Sequence, residues 1–479
     1  MEVKEADIRS IVEQVIERLE KSGVLPRAPE VQGEPPLRGA GVFENIEEAV
    51  RAARKAHEKL MELPLETRRN IIRAIRRVSV REAETLARMA HEETGMGRVA
   101  DKVEKNRLAA LKTPGVEDLE PMAFTDEHGL TLVERAPYGV IASITPSTNP
   151  TSTIINNTIS MVAAGNAVVF HPHPGAKRSS CATVTLLNEA IVEAGGPENL
   201  VCAIGSPTLE SAQALMKHPV VRLLVVTGGG GVVQAAMASG KKVIAAGPGN
   251  PPCVVDETAD IARAGRDIVL GAGFDNNIVC VCEKEILVVN EVAEDLEKAM
   301  EFNGGFRLNR RQMEEVTRLV IDEPGGPGKP GKPKREWVGK DASLIAREIG
   351  LRVPENTRIL FGEVDRDNPL IWTEQLLPVI PVVRFHDVEE AMEFAVECEH
   401  HFRHTAVMHS RNIANLSKMA KMMDCSIFVK NGPAYSGLGK GGAGFTSFTI
   451  ATPTGEGLTR ARTFTRERRC TLVDYFRIV

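Results

Sequence analysis

The chain has 479 residues, 43% of them hydrophobic and 26% charged, with a formal net charge of −5. That length permits two or three domains with real cores, in the balance of an ordinary soluble globular protein. The mild negative charge gives no handle on nucleic acid or an anionic membrane, no apolar stretch approaches the roughly 20 residues of a membrane span, and no secretory signal is expected.

Ile8, Ile11, Val12, Val15, Ile16 and Leu19 recur at helical spacing, so residues 1–22 are predicted to form an amphipathic helix ended by Gly23. Residues 23–37, rich in proline and glycine, read as an extended linker. A short helix on such a tether needs a surface on which to bury its apolar stripe. That surface is either its own domain or a sister subunit, or a partner groove that reads the helix as an address tag.

Residues 46–111 have helical patterning throughout, with breaks at Pro64 and at Gly95-Met-Gly97. Residues 130–135 alternate as a strand, placing an arm strand near 127–137. Short β-branched runs at 140–144, 167–170, 201–204, 223–226 and 242–245 then alternate with helical segments. That alternation predicts a parallel sheet with crossover helices, a Rossmann-like dinucleotide domain spanning 38–253. A second α/β series covers 254–424, interrupted at 323–334 by a run too rich in proline and glycine to pack, hence a surface loop with a solvated basic face. Residues 425–479 form a return segment whose strand-like tip, 466–474, suits a tail exchanged between subunits.

The eight cysteines (181, 202, 253, 280, 282, 398, 425 and 470) are scattered, mostly within apolar runs. They predict reduced thiols in a cytosolic compartment and no disulfide framework. Cys280-x-Cys282 lacks the second pair of a zinc site, and His400-His-Phe-Arg-His404 lacks an acidic partner, so no metal is expected. Cys280 nevertheless stands apart. It follows the polar turn Asp275-Asn-Asn277 and precedes the β-branched run 286–289, where a thiol can be open to substrate and still rigidly held. Taken alone, a cysteine between Val279 and Val281 is more often core than catalytic, and Cys282 would share its parity along a strand. Asn149, in Ile144-Thr-Pro-Ser-Thr-Asn-Pro150, offers a neutral amide donor for an oxyanion. Gly228 to Gly231 sit after a strand and before a helix, but without the G-x-G-x-x-G fingerprint they fit a flexible turn as well as a phosphate seat.

Three stretches are more specific: Asp275-Asn-Asn-x-x-Cys280, Ala246-Gly-Pro-Gly-Asn-Pro-Pro252 and Val429-Lys-Asn-Gly-Pro433. Together they resemble the aldehyde dehydrogenase superfamily, and more narrowly its CoA-acylating branch, the propionaldehyde and acetaldehyde dehydrogenases of bacterial microcompartments. The resemblance implies an α/β, aldehyde dehydrogenase-like fold: a Rossmann-like NAD-binding domain, an α/β catalytic domain and a β-strand oligomerisation arm, assembled as a homodimer or dimer of dimers. It implies Cys280 as nucleophile and Asn149 as oxyanion donor. Thr227, Gly228 and Gly229 would seat the cofactor diphosphate at a helix start, and Thr145 and Pro146 would line the nicotinamide side. His171 falls where hydrolytic members carry a ribose-contacting lysine. Glu374, in Trp372-Thr-Glu-Gln-Leu-Leu-Pro378, matches the glutamate that accepts the nicotinamide ribose hydroxyls. NAD is then the cofactor and coenzyme A the co-substrate, with a small aldehyde as substrate; no arginine adjoins the Gly228 turn to meet a 2′-phosphate. Residues 1–22 resemble encapsulation helices, which implies a microcompartment shell or other cargo as partner and a place inside such a compartment in the cytoplasm.

One departure decides the subclass. Hydrolytic members carry a general-base glutamate in Leu-Glu-Leu-Gly-Gly-Lys; here the stretch reads Ala245-Ala-Gly-Pro-Gly-Asn250, with Ala246 at that position and no carboxylate between Gly240 and Val255. Water, with a pKa of about 15.7, needs a base to attack a thioester. A thiol near 8.5 already holds about a few per cent of thiolate at neutral pH. Thiolysis by coenzyme A is therefore expected, by a ping-pong route, and the small Gly247-Pro-Gly-Asn-Pro-Pro252 stretch is expected to leave room for the pantetheine arm. The alternatives are a hydrolytic enzyme using Glu283 or Glu285 as base, and a catalytically silent assembly protein that recruits a shell through residues 1–22.

Overall fold

The computed structural model describes residues 37–479; segment 1–22 and nearly all of linker 23–37 lie outside the described residues. The β-branched runs form two parallel sheets whose inner strands are buried because helices cover both faces, while edge strands such as Val42–Phe43 and Gly305–Arg307 are half-buried. In the first sheet the order is Val42–Phe43, Val201–Ile204, Ala167–His171, Val140–Ile144, Val221–Thr227 and Lys242–Ala246. Ile141, Val168, Phe170 and Leu224 from these strands pack with Ile155 and Leu187 from the covering helices in one core. The helical stretch 46–111 resolves into Ile46–Glu62, Leu65–Arg81, Ala83–Thr94 and Val99–Lys112. Asn45 caps the first through the backbone N–H groups of Glu47 and Glu48, Pro64 separates the second, and Gly95, at φ 63°, ends the third. A further break at Glu82, which carries no glycine or proline, was not legible from composition.

The second sheet runs Gly305–Arg307, Ile359–Glu363, Val379–Phe385, Glu285–Val289, Pro252–Val255, Thr405–His409 and Ile427–Lys430, again all parallel. The seam expected after residue 253 thus falls inside the strand Pro252–Val255, and Ile427–Lys430, expected in the return segment, also pairs here. Residues 247–251 carry the chain from the edge strand Lys242–Ala246 of one sheet to an inner strand of the other, and Gly249 among them lies against Cys280.

A third, antiparallel sheet pairs Met122–Asp126, Gly129–Pro137 and Thr465–Val473. The C-terminal strand lies along its own chain's hairpin, from Thr465 opposite Pro137 to Val473 opposite Gly129. The 323–334 segment lies at the surface, as expected, and is tied down at both ends. Ile321–Glu323 pairs with Lys332–Pro333, and Gly331 donates its N–H to the Trp372 carbonyl at 2.8 Å. Glycine is needed there because a Cβ on Gly331 would overlap the Thr373 hydroxyl. Its Lys332 pairs with Glu323 at 2.7 Å. All eight cysteines are free thiols, and among the described residues no helix is long and apolar enough to cross a membrane.

Candidate active site

The loop that carries Cys280 begins where helix Ile261–Ala272 ends and Asp275, Asn276 and Asn277 take φ of 48°, 53° and 66° in succession. Asp and Asn tolerate this left-handed conformation better than other side chains, but three in a row persist only if each is tied down. Asp275 accepts from the Arg98 N–H at 2.6 Å and from Lys102 at 3.1 Å, and is ion-paired with Lys105. Asn276 donates to the Gly339 carbonyl at 2.9 Å and to Asp341 at 2.8 Å. Asn277 donates to the carbonyls of Ala272 and Glu283 at 2.8 and 2.9 Å. Each side chain of the polar triplet therefore holds the turn that delivers the thiol.

Cys280 is half-buried, whereas Cys282 is fully buried in the second core with its thiol 3.8 Å from the Phe274 carbonyl. Residues 278–284 form a turn and no strand, so the parity that made Cys282 a competitor does not apply; exposure separates the two. Burial pushes the Cys280 thiol up to about 12, with Glu374 adding to the rise while Lys284 and Lys105 oppose it. Lys284 is itself buried beneath the loop, donating to the carbonyls of Asn277 at 2.8 Å and Val279 at 3.5 Å.

Asn149 stands at the N-cap of helix Pro150–Ala163, yet its side chain caps no backbone N–H. Its Oδ1 instead accepts from Lys105 Nζ at 2.6 Å, and its Nδ2 donates to the Thr148 hydroxyl at 3.2 Å. Asp275 thus links the Cys280 loop to Asn149 through Lys105.

The other expected residues gather at the C-terminal ends of the first sheet's strands, the edge where parallel α/β sheets bind ligands. Thr145 follows strand Val140–Ile144, and its buried Oγ1 finds no hydrogen-bond partner; Pro146 beside it is half-buried. His171 closes strand Ala167–His171 with Nε2 2.7 Å from the Ser211 hydroxyl, and burial lowers it to about 4, so it is neutral. Thr227 ends its strand and shares a hydrogen bond with Thr449 at 3.0 Å. From Gly228 to Gly231 no φ is positive and a Cβ would meet nothing within 4 Å. Neither backbone strain nor packing demands these glycines, so the open space before helix Gly230–Met237 fits a bound diphosphate.

From the second sheet's side, Glu374 accepts the Gly249 N–H at 3.1 Å, and burial raises its carboxyl to about 7 against the pull of Lys284 and that N–H. Ala246, buried, ends strand Lys242–Ala246. The glycines after it are required by packing within the protein. A Cβ on Gly247 would lie 2.8 Å from Pro453, and one on Gly249 would lie 2.9 Å from both the Cys280 carbonyl and His404 Cγ. Glu283 accepts from the Ala434 N–H at 2.8 Å and Glu285 from the Cys398 thiol at 3.3 Å, so both alternative bases face interior partners.

Three residues here escaped the sequence reading. Lys102 and Lys105 occupy the buried stripe of helix Val99–Lys112, and a lysine at a core-facing position was the available signal. His404, viewed only as a possible metal ligand, packs on Gly249 with Nδ1 2.8 Å from the Thr405 hydroxyl and a buried, unpartnered Nε2; burial and Lys284 hold it neutral, near about 4. His400 turns instead to the Trp372 carbonyl at 3.1 Å. Positive φ at His400, His401 and Arg403 shows that the i, i+4 histidines never shared a helix face.

The aldehyde dehydrogenase family model matches residues 37–303. Acetaldehyde dehydrogenase (acetylating) EutE of Salmonella typhimurium is 51% identical over 98% of this chain and 100% of its own length. Among solved structures, Rhodopseudomonas palustris propionaldehyde dehydrogenase with bound CoA and an acylated cysteine superposes with a TM-score of 0.88 at 46% identity, covering 91% of this chain and 98% of that one. A propionaldehyde dehydrogenase from the Clostridium phytofermentans fucose utilisation bacterial microcompartment gives 0.88 at 46% identity, over 92% of this chain and 100% of that one.

Proposed function

The chain belongs to the aldehyde dehydrogenase family, and from that premise we propose that it oxidises a short aliphatic aldehyde, propionaldehyde or acetaldehyde, with NAD and transfers the acyl group to coenzyme A. The observation that carries the acylating reading is Ala246 at the end of its strand, with Glu283 and Glu285 both turned to interior partners. Without a carboxylate positioned to deprotonate water, a thioester on Cys280 persists until a thiol removes it.

Cys280 loses its proton to solvent, its thiolate attacks the aldehyde carbonyl, and the oxyanion of the resulting hemithioacetal is held by the Asn149 amide and the Cys280 backbone N–H. NAD, when bound, accepts hydride from the carbon, leaving the acyl group as a thioester on sulfur. Thr227, Gly228 and Gly229 would hold the diphosphate of NAD, Thr145 and Pro146 its nicotinamide, Glu374 would accept from the nicotinamide ribose, and the neutral His171 would serve the second ribose. The CoA thiol loses its proton to solvent and attacks the thioester as thiolate, the bond from carbon to Cys280 Sγ breaks, and Cys280 leaves as thiolate.

The test is NADH absorbance from propionaldehyde and NAD, with and without coenzyme A, with mass detection of the product. Propionyl-CoA formed only with CoA is the expected result; steady formation of propionate without CoA overturns the acylating reading. Residues 1–22 act as an address tag for a microcompartment shell. Their deletion should leave CoA-dependent turnover intact and abolish co-purification with shell protein, and retained co-purification rejects the tag. The arm builds a dimer or dimer of dimers, because Leu472, Val473, Tyr475, Phe476, Ile478 and Val479 leave an exposed apolar edge at its tip. Removing residues 474–479 should lower the mass by light scattering, and an unchanged mass places the interface elsewhere.

A further inference from the structure

Lys105 is 2% exposed, in a place where a cation is unfavourable unless fully engaged. It is engaged twice, by its ion pair with Asp275 and by donation to Asn149 Oδ1 at 2.6 Å. An ammonium has only donors, and a carboxamide has one oxygen that accepts and one nitrogen that donates. The orientation of Asn149 therefore follows from chemistry: oxygen toward Lys105, Nδ2 away from it. An asparagine at this helix position would ordinarily accept from the helix's own N–H groups, and Asn149 does not. Freed of Lys105, the amide can turn and present its oxygen to the oxyanion, which repels where it should stabilise.

We propose that Lys105 is the positioning residue that fixes the Asn149 amide as an oxyanion donor and, through Asp275, ties that donor to the loop carrying Cys280. This rests on the roles given above to Asn149 and Cys280. A charged donor on the amide oxygen also polarises the amide, strengthening its N–H as a donor. Lys102 supplies an internal comparison: it pairs with the same carboxylate, Asp275, at 3.1 Å, but with no hydrogen bond to Asn149.

The test uses a reaction that needs neither NAD nor CoA. With 4-nitrophenyl propionate, the Cys280 thiolate adds to the ester carbonyl, the C–O bond breaks, 4-nitrophenolate leaves with the electron pair, and the thiol's proton goes to solvent. The oxyanion is formed at the same place, and the first turnover is read as a burst of 4-nitrophenolate. Asn149→Ala should slow the burst on the order of 100-fold, and Lys105→Met about tenfold, as loss or misorientation of one oxyanion donor does. Lys105→Gln, which keeps a donor for Oδ1, should recover most of that loss. In an Asn149→Ala background, Lys105→Met should change the burst by less than about twofold, because its effect passes through the missing amide. Lys102→Met should give the same loss in both backgrounds.

Equal losses for Lys105→Met with and without Asn149, or no loss at all, overturn the proposal. If Lys105→Met does not fold, Lys105→Ala, which likewise leaves Oδ1 without a donor, carries the same comparison in the two backgrounds. A wild-type protein that gives no burst at Cys280 removes both this inference and the catalytic reading. A burst that obeys the cycle, in a protein that does not oxidise aldehydes with CoA, removes only the functional reading.

Discussion

Glu374 accepts a hydrogen bond from the backbone N–H of Gly249 at 3.1 Å, joining a carboxylate on the second sheet's side to the strand-to-strand crossing that lies against Cys280. Burial holds this carboxyl at about 7, against roughly 4.3 in an unfolded chain. Between those values the fold retains a proton that the unfolded chain releases, so the group lowers stability as pH rises from about 4.3 to about 7 and by a constant amount above. Glu374→Gln should therefore leave the melting temperature nearly unchanged at pH 4.5 and raise it by about 2 °C or more at pH 8. The same change should raise the KM for NAD about tenfold, the loss of one charged hydrogen-bond acceptor. Thermal melts at the two pH values check the first part, and an equal gain at both would reject the buried-carboxylate account.

Gly249→Ala places a Cβ 2.9 Å from the Cys280 carbonyl and from His404 Cγ, neither of which is the far end of a flexible chain. We expect a loss of about 1–3 kcal/mol in stability, as for other overpacked sites. A displacement of about 1 Å at the nucleophile should also cost on the order of 100-fold in kcat. Denaturant melts and steady-state rates measure both, and a fully active Gly249→Ala enzyme would show that the crossing does not set the position of Cys280.

Gly228→Val is predicted to do the reverse. With no positive φ and no neighbour within 4 Å, the added side chain strains nothing in the free protein. The melting temperature should stay the same or rise slightly, since valine restricts the unfolded chain more than glycine. The KM for NAD should rise at least about tenfold as the branched side chain fills the space before the helix start. An unaltered KM would move the diphosphate away from this turn.

The two cysteines of the loop should separate cleanly. Cys280→Ala abolishes turnover with a small effect on folding, while Cys282→Ala retains turnover and costs about 1 kcal/mol through a small cavity in the second core. Without cofactor, alkylation of Cys280 by iodoacetamide should keep accelerating from pH 7 to pH 10 with no plateau, because burial holds the thiol up to about 12 and only the thiolate reacts. A plateau near pH 8 would mean that Lys284 and Lys105 outweigh burial.

The sequence by itself determined what is local. Runs of β-branched residues named five of the six strands of the first sheet to within two residues at each end, and missed the half-buried edge strand Val42–Phe43, because only a strand buried on both faces needs an unbroken apolar run. The motif around Cys280 and the alanine at 246 named the chemistry, because losing a carboxylate changes what can attack a thioester wherever the chain goes. The tertiary structure alone decided what depends on residues far apart. Cys280 and Cys282 differ by exposure and not by pattern. The alternative bases Glu283 and Glu285 fail because of partners at Ala434 and Cys398, each more than a hundred residues away in sequence. Lys105 orients an amide 44 residues downstream and neutralises a carboxylate on the other sheet's loop. No periodicity records such a contact, since a buried lysine is tolerable only once the fold has brought both of its partners to it.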